Sequence, residues 1–233
     1  VDAGPGDDDA LDRSLARLGV REIETLVVTH PDLDHVGGAP RVVRRLPVDR
    51  IVGPGLLRGT VALEALARAA ANRGVPWSVV SPGSYWESGD VRFQVLHAGG
   101  SSAAPNDHSV VLHVAWGAFD ALLTGDISSA VEDELPLRID PGTRFEALKV
   151  AHHGSRTSSS ERFLDHVAPE VAVVSVGRGN RFGHPAPAVV HRFEVRGIPL
   201  ARTDHHGSIR IRGARDGSFR IDTEFGDLAA TTR

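Results

Sequence analysis

Apolar positions along the chain switch repeatedly between a period of two and a period near 3.6, as expected where strands alternate with helices. Strands are predicted over residues 25–29, 50–52, 77–80, 91–97, 110–116, 121–124, 147–151, 171–176 and 208–212. Helices are predicted over 61–72, which is rich in alanine and leucine, over 160–166 and over 186–195. Gly, Pro and Asn punctuate the loops at 104–109, 139–144 and 177–187. Strand and helix alternate early, strands follow one another in the middle, and the alternation then returns. That order predicts an α/β (α+β) chain with two sheets packed face to face and helices outside, built as one domain over residues 1–233. Polar clusters at strand ends would then line up along one edge.

Composition narrows the chemistry. At 41% hydrophobic and 24% charged residues the chain is an ordinary globular sequence. Its longest apolar runs, 110–116 and 171–176, are strand-sized and far short of the roughly 18 residues that a spanning helix needs. Without cysteine there is no disulfide framework, thiolate ligand or thiol nucleophile, so any metal must be held by imidazole and carboxylate. The chain opens on "VDAGPG" with no leader and no methionine, and reads as a piece of a longer protein.

A net charge of −4 argues against a surface basic all over, yet the charge is unevenly placed. Arg178, Arg181, Arg192, Arg196, Arg202, Arg210, Arg212, Arg215 and Arg220 meet only Glu194, Asp204 and Asp216 in the same span. One reading is a phosphate-tracking surface. The other is compositional, since arginine outnumbers lysine throughout. With aromatics at 5%, backbone contacts rather than base stacking would dominate any nucleic-acid interface.

The densest chemistry lies in "LVVTHPDLDHVGGAP", where His30, Asp32, Asp34 and His35 follow a strand-like apolar run. If the chain leaves the strand extended, His30 and Asp32 share a face. Asp34 and His35 then sit in a tight loop closed by Gly37 and Gly38, aimed at a second centre. Four such groups this close are costly unless a cation lies between them, and their donor types suit Zn²⁺, Mn²⁺ or Fe²⁺. A solvated acidic turn is the bland alternative. Three later clusters repeat the design: "LLTGDIS" puts Asp126 after a strand and a glycine, "LKVAHHGS" puts His152 and His153 at a strand end, and "NRFGHPAP" puts His184 on a Gly/Pro-bounded loop. His97, His108, His113, His166 and His191 have no comparable setting.

The ordered series H-x-D-x-D-H with GG, N-D-x-S, TGD, HHGS, GHP and TD-x-x-G resembles the metallo-β-lactamase superfamily, and within it the hydrolase domain of the ComEC family of DNA-uptake competence proteins. "VDAG" at the start is similar to that family's "IDTG" strand. The resemblance implies a four-layer αββα sandwich, here lacking its first strands. It implies two divalent metal ions held by His30, Asp32, Asp34, His35, Asp126 and His152 or His153. Catalytic roles fall to Asp34, Asp126, His153 and His184, and substrate contacts to Asn106, Ser109, Lys149, Ser155, Arg178 and Arg181. Aspartate at Asp32 replaces a usual histidine, and "NDHS" (106–109) replaces a usual third motif. One site is therefore either poorer in ligands or completed by other groups, which favours Mn²⁺ or weakly held Zn²⁺. The implied reaction is phosphodiester hydrolysis by a DNA nuclease that degrades the strand not taken up. Its partners would be DNA and the rest of a membrane DNA-uptake channel, with the domain extracytoplasmic. A small-substrate phosphodiesterase or esterase of the same fold, and a catalytically silent docking domain, are the rival readings.

Overall fold

The computed structural model describes residues 1–6, 9–55, 60–100, 104–226 and 228. The contacts divide them into two compact units, Val1–Pro82 with Ala98–Val110, and Gly83–His97 with Val111–Arg233.

The first unit holds α1 (Ala10–Arg17), β1 (Ile23–Val27), α2 (Leu33–Val36), α3 (Ala39–Arg45), β2 (Val48–Gly53), α4 (Val61–Arg73) and β3 (Trp77–Val79). Its strands form a parallel sheet in the order β1-β2-β3. Parallel neighbours need long crossovers, which α3 and α4 supply while packing on each other. Helix α4 follows from local sequence: Thr60 Oγ1 accepts from Leu63 N at its start, and Gly74, at φ 65°, takes the left-handed conformation at its end. Leu63, Leu66, Ala69 and Ala70 form its buried face, joining Val28, Val36, Val43 and Ile51 in one core. Each fully buried side chain of Leu or Ile size contributes about 1.5–3 kcal/mol.

The second unit holds β4 (Tyr85–Ser88), β5 (Val91–His97), β6 (Val111–Trp116), β7 (Phe119–Leu123), α5 (Ser129–Glu132), β8 (Ala147–Lys149), α6 (Glu161–Val167), β9 (Val171–Val174), α7 (Pro187–Glu194), β10 (Leu200–Arg202), α8 (Thr203–His206), β11 (Ile209–Gly213) and β12 (Phe219–Thr223). Seven strands form a mixed sheet in the order β10-β9-β8-β7-β6-β5-β4. It is antiparallel from β4 to β7 and parallel from β7 to β10, and β11 and β12 make a separate hairpin. Phe145, Leu148, Phe163, Leu164, Val189 and Phe193 anchor its core. The parallel strands β7, β8 and β9 end at the same edge, the position where open α/β sheets place their ligands.

The predicted strand 91–97 coincides with β5, and the predicted helices lie within a residue or so of α4, α6 and α7. Strands β4, β10 and β12 were not predicted, nor were α1, α2, α3, α5 and α8. Most of these elements span one turn or a few strand residues, too short for a period to emerge. The turn after Asp32 is helical rather than a loop: Leu33–Val36 form α2, and Gly37 keeps helical angles at φ −57° and ψ −36°. Gly37 is required by crowding instead, since a Cβ there would lie 2.0 Å from the Pro5 carbonyl oxygen.

Glu132 is fully buried, and its carboxylate accepts from Ser159 N at 2.6 Å and Ser160 N at 2.8 Å, satisfying amides at the start of α6. Burial pushes its carboxyl up to about 7 against the pull of those two amides; Asp133 adds to the rise and Arg192 opposes it. The native state therefore holds this proton more tightly than the unfolded chain, so stability falls as pH rises from the unfolded value of 4.5 through about 7. Relative to Glu132→Gln, wild type should lose up to about 3 kcal/mol of unfolding free energy across that window, at about 1.4 kcal/mol per pKa unit. Denaturant titrations of both proteins at a series of pH values check this, and parallel stability curves would contradict it.

Candidate metal centre

In the first unit the site begins where β1 ends. Val28 and Thr29 continue the buried line, and His30 follows with no exposed surface. Pro31 removes a donor, Asp32 stays extended at φ −68° and ψ 146°, and α2 then turns Asp34 and His35 back. The His30 and His35 rings lie 4.1 Å apart between centroids. His30 Nε2 is 3.7 Å from an Asp32 carboxylate oxygen, and His35 Nε2 is 4.0 Å from one of Asp34.

The opposite ring nitrogens fix the tautomers. Asp2 Oδ2 lies 2.8 Å from His35 Nδ1 and also accepts from Thr29 Oγ1 at 2.8 Å, while Asp2 Oδ1 accepts from Thr29 N. Burial would raise the Asp2 carboxyl, but the hydrogen bond with His35 and that from the Thr29 amide hold it below its ordinary range. An ionised Asp2 only accepts, so His35 carries its proton on Nδ1. The single proton of the Thr29 hydroxyl goes to Asp2, so its oxygen, 3.0 Å from His30 Nδ1, accepts from that nitrogen. Both buried imidazoles are thereby set with Nδ1 donating and Nε2 left on the carboxylate side.

In the second unit Asp126, only 2% exposed, follows β7 through Gly125. Thr124 Oγ1 donates to the Lys149 carbonyl at 2.6 Å, tying that turn to β8. Lys149 Nζ donates to the Gly125 carbonyl at 2.8 Å and lies 3.4 Å from Asp126 Oδ1. After β8 the chain takes left-handed angles at His152 (φ 49°) and His153 (φ 53°), costly for residues with a Cβ and characteristic of functional sites. This bend points His153 Nδ1 at the Ser175 carbonyl, 2.6 Å away. A carbonyl only accepts, so Nδ1 bears a proton, and Nε2 is the ring atom left facing Asp126 Oδ2, 3.3 Å away. His152 instead lies 6.0 Å from the His184 ring.

His184 is gripped by Asn180, whose side chain accepts from its amide at 3.0 Å and donates to its carbonyl at 2.7 Å. Burial, then the neighbouring His152 and His153, lower its pKa, with Asp126 acting in the opposite sense. Ser155 is buried, its hydroxyl 3.0 Å from that of Thr157. Ser109 is fully buried and donates to the Asn106 carbonyl at 2.7 Å, closing its own turn. Arg178 donates to the Asp204 carbonyl at 3.3 Å, and the Arg181 guanidinium lies over the Phe182 ring. Much of the arginine excess is paired: Arg196 with Asp165, Arg202 with Asp204, Arg212 and Arg220 with Asp222, and Arg215 with Asp90.

These donors fit a divalent metal. His30, His35 and His153 each place Nε2 3.3–4.0 Å from a carboxylate oxygen, nitrogen and oxygen donors close enough to share a cation. Their Nδ1 atoms are held by hydroxyl, carboxylate and carbonyl, the supporting arrangement that orients metal-binding histidines. Asp2 and Thr29 join the site only in the structure; the one sequence signal for them is the aspartate of "VDAG".

A profile of the metallo-β-lactamase superfamily matches residues 1–178, and the chain belongs to that superfamily. Its fold is that of metal-dependent hydrolases, so the α/β class and αββα sandwich expected from sequence are those of the family. In sequence the chain is similar to ComE operon protein 3 of Bacillus subtilis (strain 168), 32% identical over 89% of this chain and 27% of that protein. It is 34% identical to competence protein ComA of Neisseria gonorrhoeae, over 88% of this chain and 27% of that protein. These relatives are ComEC-family competence proteins, as the motif order suggested, and the chain spans about a quarter of their length. In structure it is similar to the metallo-β-lactamase fold protein YhfI from Bacillus subtilis, with TM-score 0.56 and 8% identity over 86% of this chain and 82% of that one. It is also similar to Zn(2+)-bound PqqB from Methylobacterium extorquens, with TM-score 0.56 and 14% identity over 86% and 80%.

Asp2→Ala should leave the fold assembled while freeing the Thr29 hydroxyl and the His35 ring, lowering metal affinity by roughly 10- to 100-fold, the usual cost of losing such a partner. Competition of the apo-protein against a chromogenic chelator measures this, and unchanged affinity would remove Asp2 from the account.

Proposed function

We propose that this chain is a metal-dependent phosphodiesterase of the nuclease type, one domain over residues 1–233 of a longer membrane protein. Within that protein it would degrade the strand left outside during DNA uptake. The observation that carries the reading is the set of imidazoles whose Nδ1 atoms are tied back so that Nε2 is the atom left beside carboxylate oxygens. The competence relatives support the biological setting. An extracytoplasmic position and partnership with the rest of an uptake channel follow from that setting. Among the described residues no helix is long and apolar enough to cross a membrane.

Two divalent ions would be held by His30, Asp32, Asp34, His35 and Asp126, with His153 favoured over His152 because its Nε2 is already beside Asp126. The mixed nitrogen and oxygen set favours Mn²⁺, with Zn²⁺ also accommodated. When bound, such ions supply Lewis acidity toward a phosphoryl oxygen and a water of lowered pKa. The chain's own groups do the rest. Asp126, held by Lys149, orients the attacking water as a carboxylate acceptor. Lys149, Ser155 and His184 receive the phosphate oxygens or return a proton to the leaving oxygen. Arg178 and Arg181 would meet the approaching backbone and Asn106 would offer a further contact, whereas Ser109, fully buried and donating to the Asn106 carbonyl, would only shape that turn.

Asp126→Ala and Asp34→Ala should each lower hydrolysis of single-stranded DNA at least a thousandfold, since about 1.4 kcal/mol is tenfold and several are at stake. Chelation should abolish activity, and Mn²⁺ should restore it better than Mg²⁺, which binds imidazole poorly. Retention of more than about a tenth of wild-type rate by either variant, metal content being equal, would refute the assignment. A metal-free wild type with no hydrolysis under any divalent ion would instead support a silent docking domain.

A further inference from the structure

The loop 177–187 carries one side chain that neither the core nor the metal donors use. Phe182 is 70% exposed, although full burial of a Phe side chain is worth about 1.5–3 kcal/mol. The loop around it is held: Asn180 accepts from the His184 amide and donates to the Gly177 and His184 carbonyls, and the Arg178 guanidinium donates to the Asp204 carbonyl. Phe182 is therefore displayed on fixed backbone rather than left on a loose tip. Its ring is stacked with that of His184, centroids 6.0 Å apart and planes inclined by 21°, and the Arg181 guanidinium carbon sits 5.3 Å from its centroid. His184 in turn lies 6.0 Å from His152, so the exposed ring stands two such steps from the histidine pair after β8.

We propose that Phe182 is a stacking platform for one unpaired nucleobase of the substrate strand, with Arg181 beside it for the adjoining phosphate. The inference rests on the nuclease reading and deepens it. Residues 177–187 contain two arginines and no carboxylate, so the loop suits a ligand that combines a flat apolar ring with a phosphate. A single-stranded nucleotide is that ligand: every base offers a π-face to an aromatic ring or guanidinium plane, whatever its identity. A preformed loop binds without the cost of ordering it. Scarcity of aromatics in the chain as a whole is then no objection, because the single ring needed stands beside the histidines of the site.

The test is fluorescence anisotropy with the chelated, metal-free protein and a labelled twelve-residue oligothymidylate, beside an oligomer of the same length made of abasic sugar phosphates. Phe182→Ala should weaken oligothymidylate binding by about 5- to 100-fold, and Phe182→Trp should restore it. Binding of the abasic oligomer should be the same for wild type and Phe182→Ala. Equal binding of oligothymidylate by wild type and Phe182→Ala would overturn the platform while leaving the nuclease reading intact. A loss that is as large on the abasic oligomer would overturn it too, because the ring would then act through the backbone. If wild type neither binds nor, with Mn²⁺, cleaves oligothymidylate, the nuclease reading itself fails and takes the platform with it.

Discussion

The structure turns on one half-buried carboxylate. Asp2 accepts from the Thr29 amide and hydroxyl and from His35, and through the hydroxyl it decides the tautomer of His30. Remove that anchor and two imidazoles with almost no exposed surface lose the hydrogen bonds that keep their Nε2 atoms available. The local fold is shaped to hold it. Asp2 N donates to the Val27 carbonyl, Ala3 N to the His35 carbonyl, and Gly38 N to the Gly4 carbonyl, so the segment crosses both the end of β1 and the turn that carries His35. Gly37 and Gly38 permit that crossing, since a Cβ on either would meet the backbone of Pro5 or Ala3 at 2.0–2.2 Å.

The second unit solves the same problem by other means. There the Ser175 carbonyl at the end of β9 takes the place of a carboxylate, and the left-handed backbone at His152 and His153 supplies the aim. Backbone strain of this kind costs of order 1–3 kcal/mol per residue and persists only when surrounding contacts over-determine it. Those contacts are visible: His152 N donates to the Gly125 carbonyl, Ser155 N to the His152 carbonyl, and the Ser158 hydroxyl to the carbonyls of Ala151 and Ser155. Glu132 then fixes the far end of that serine-rich loop at the start of α6. The strained histidines are thus part of a hydrogen-bonded loop braced at both ends.

How much of this was legible in the sequence depended on how local each feature is. Helix α4 declared itself through Thr60, an alanine-rich repeat and Gly74, and β5 through seven residues of strand character. The donors His30, Asp32, Asp34 and His35 stood out because they lie within six consecutive positions. Asp2 did not, because its partner His35 is 33 residues away and only tertiary structure pairs them. The same holds for Glu132 and Ser159. The edge strands β4 and β10 were too short to show a period, and a single helical turn, α2, is indistinguishable from a loop by pattern alone. The arginine-rich third read as free positive charge in one dimension, whereas the structure pairs several of those arginines with carboxylates. Composition also hid Phe182, since a percentage of aromatics says nothing about where one ring stands.

The central claim is that the folded chain presents Nε2, not Nδ1, of His30, His35 and His153 to a divalent metal. Long-range proton–nitrogen NMR on histidine-labelled protein, recorded metal-free and during titration with Zn²⁺, measures it at each ring. The account predicts Nδ1 protonated throughout in these three residues, with only the Nε2 resonances moving as metal binds. Coordination through Nδ1, or saturation with Zn²⁺ that leaves all three rings unchanged, would contradict it.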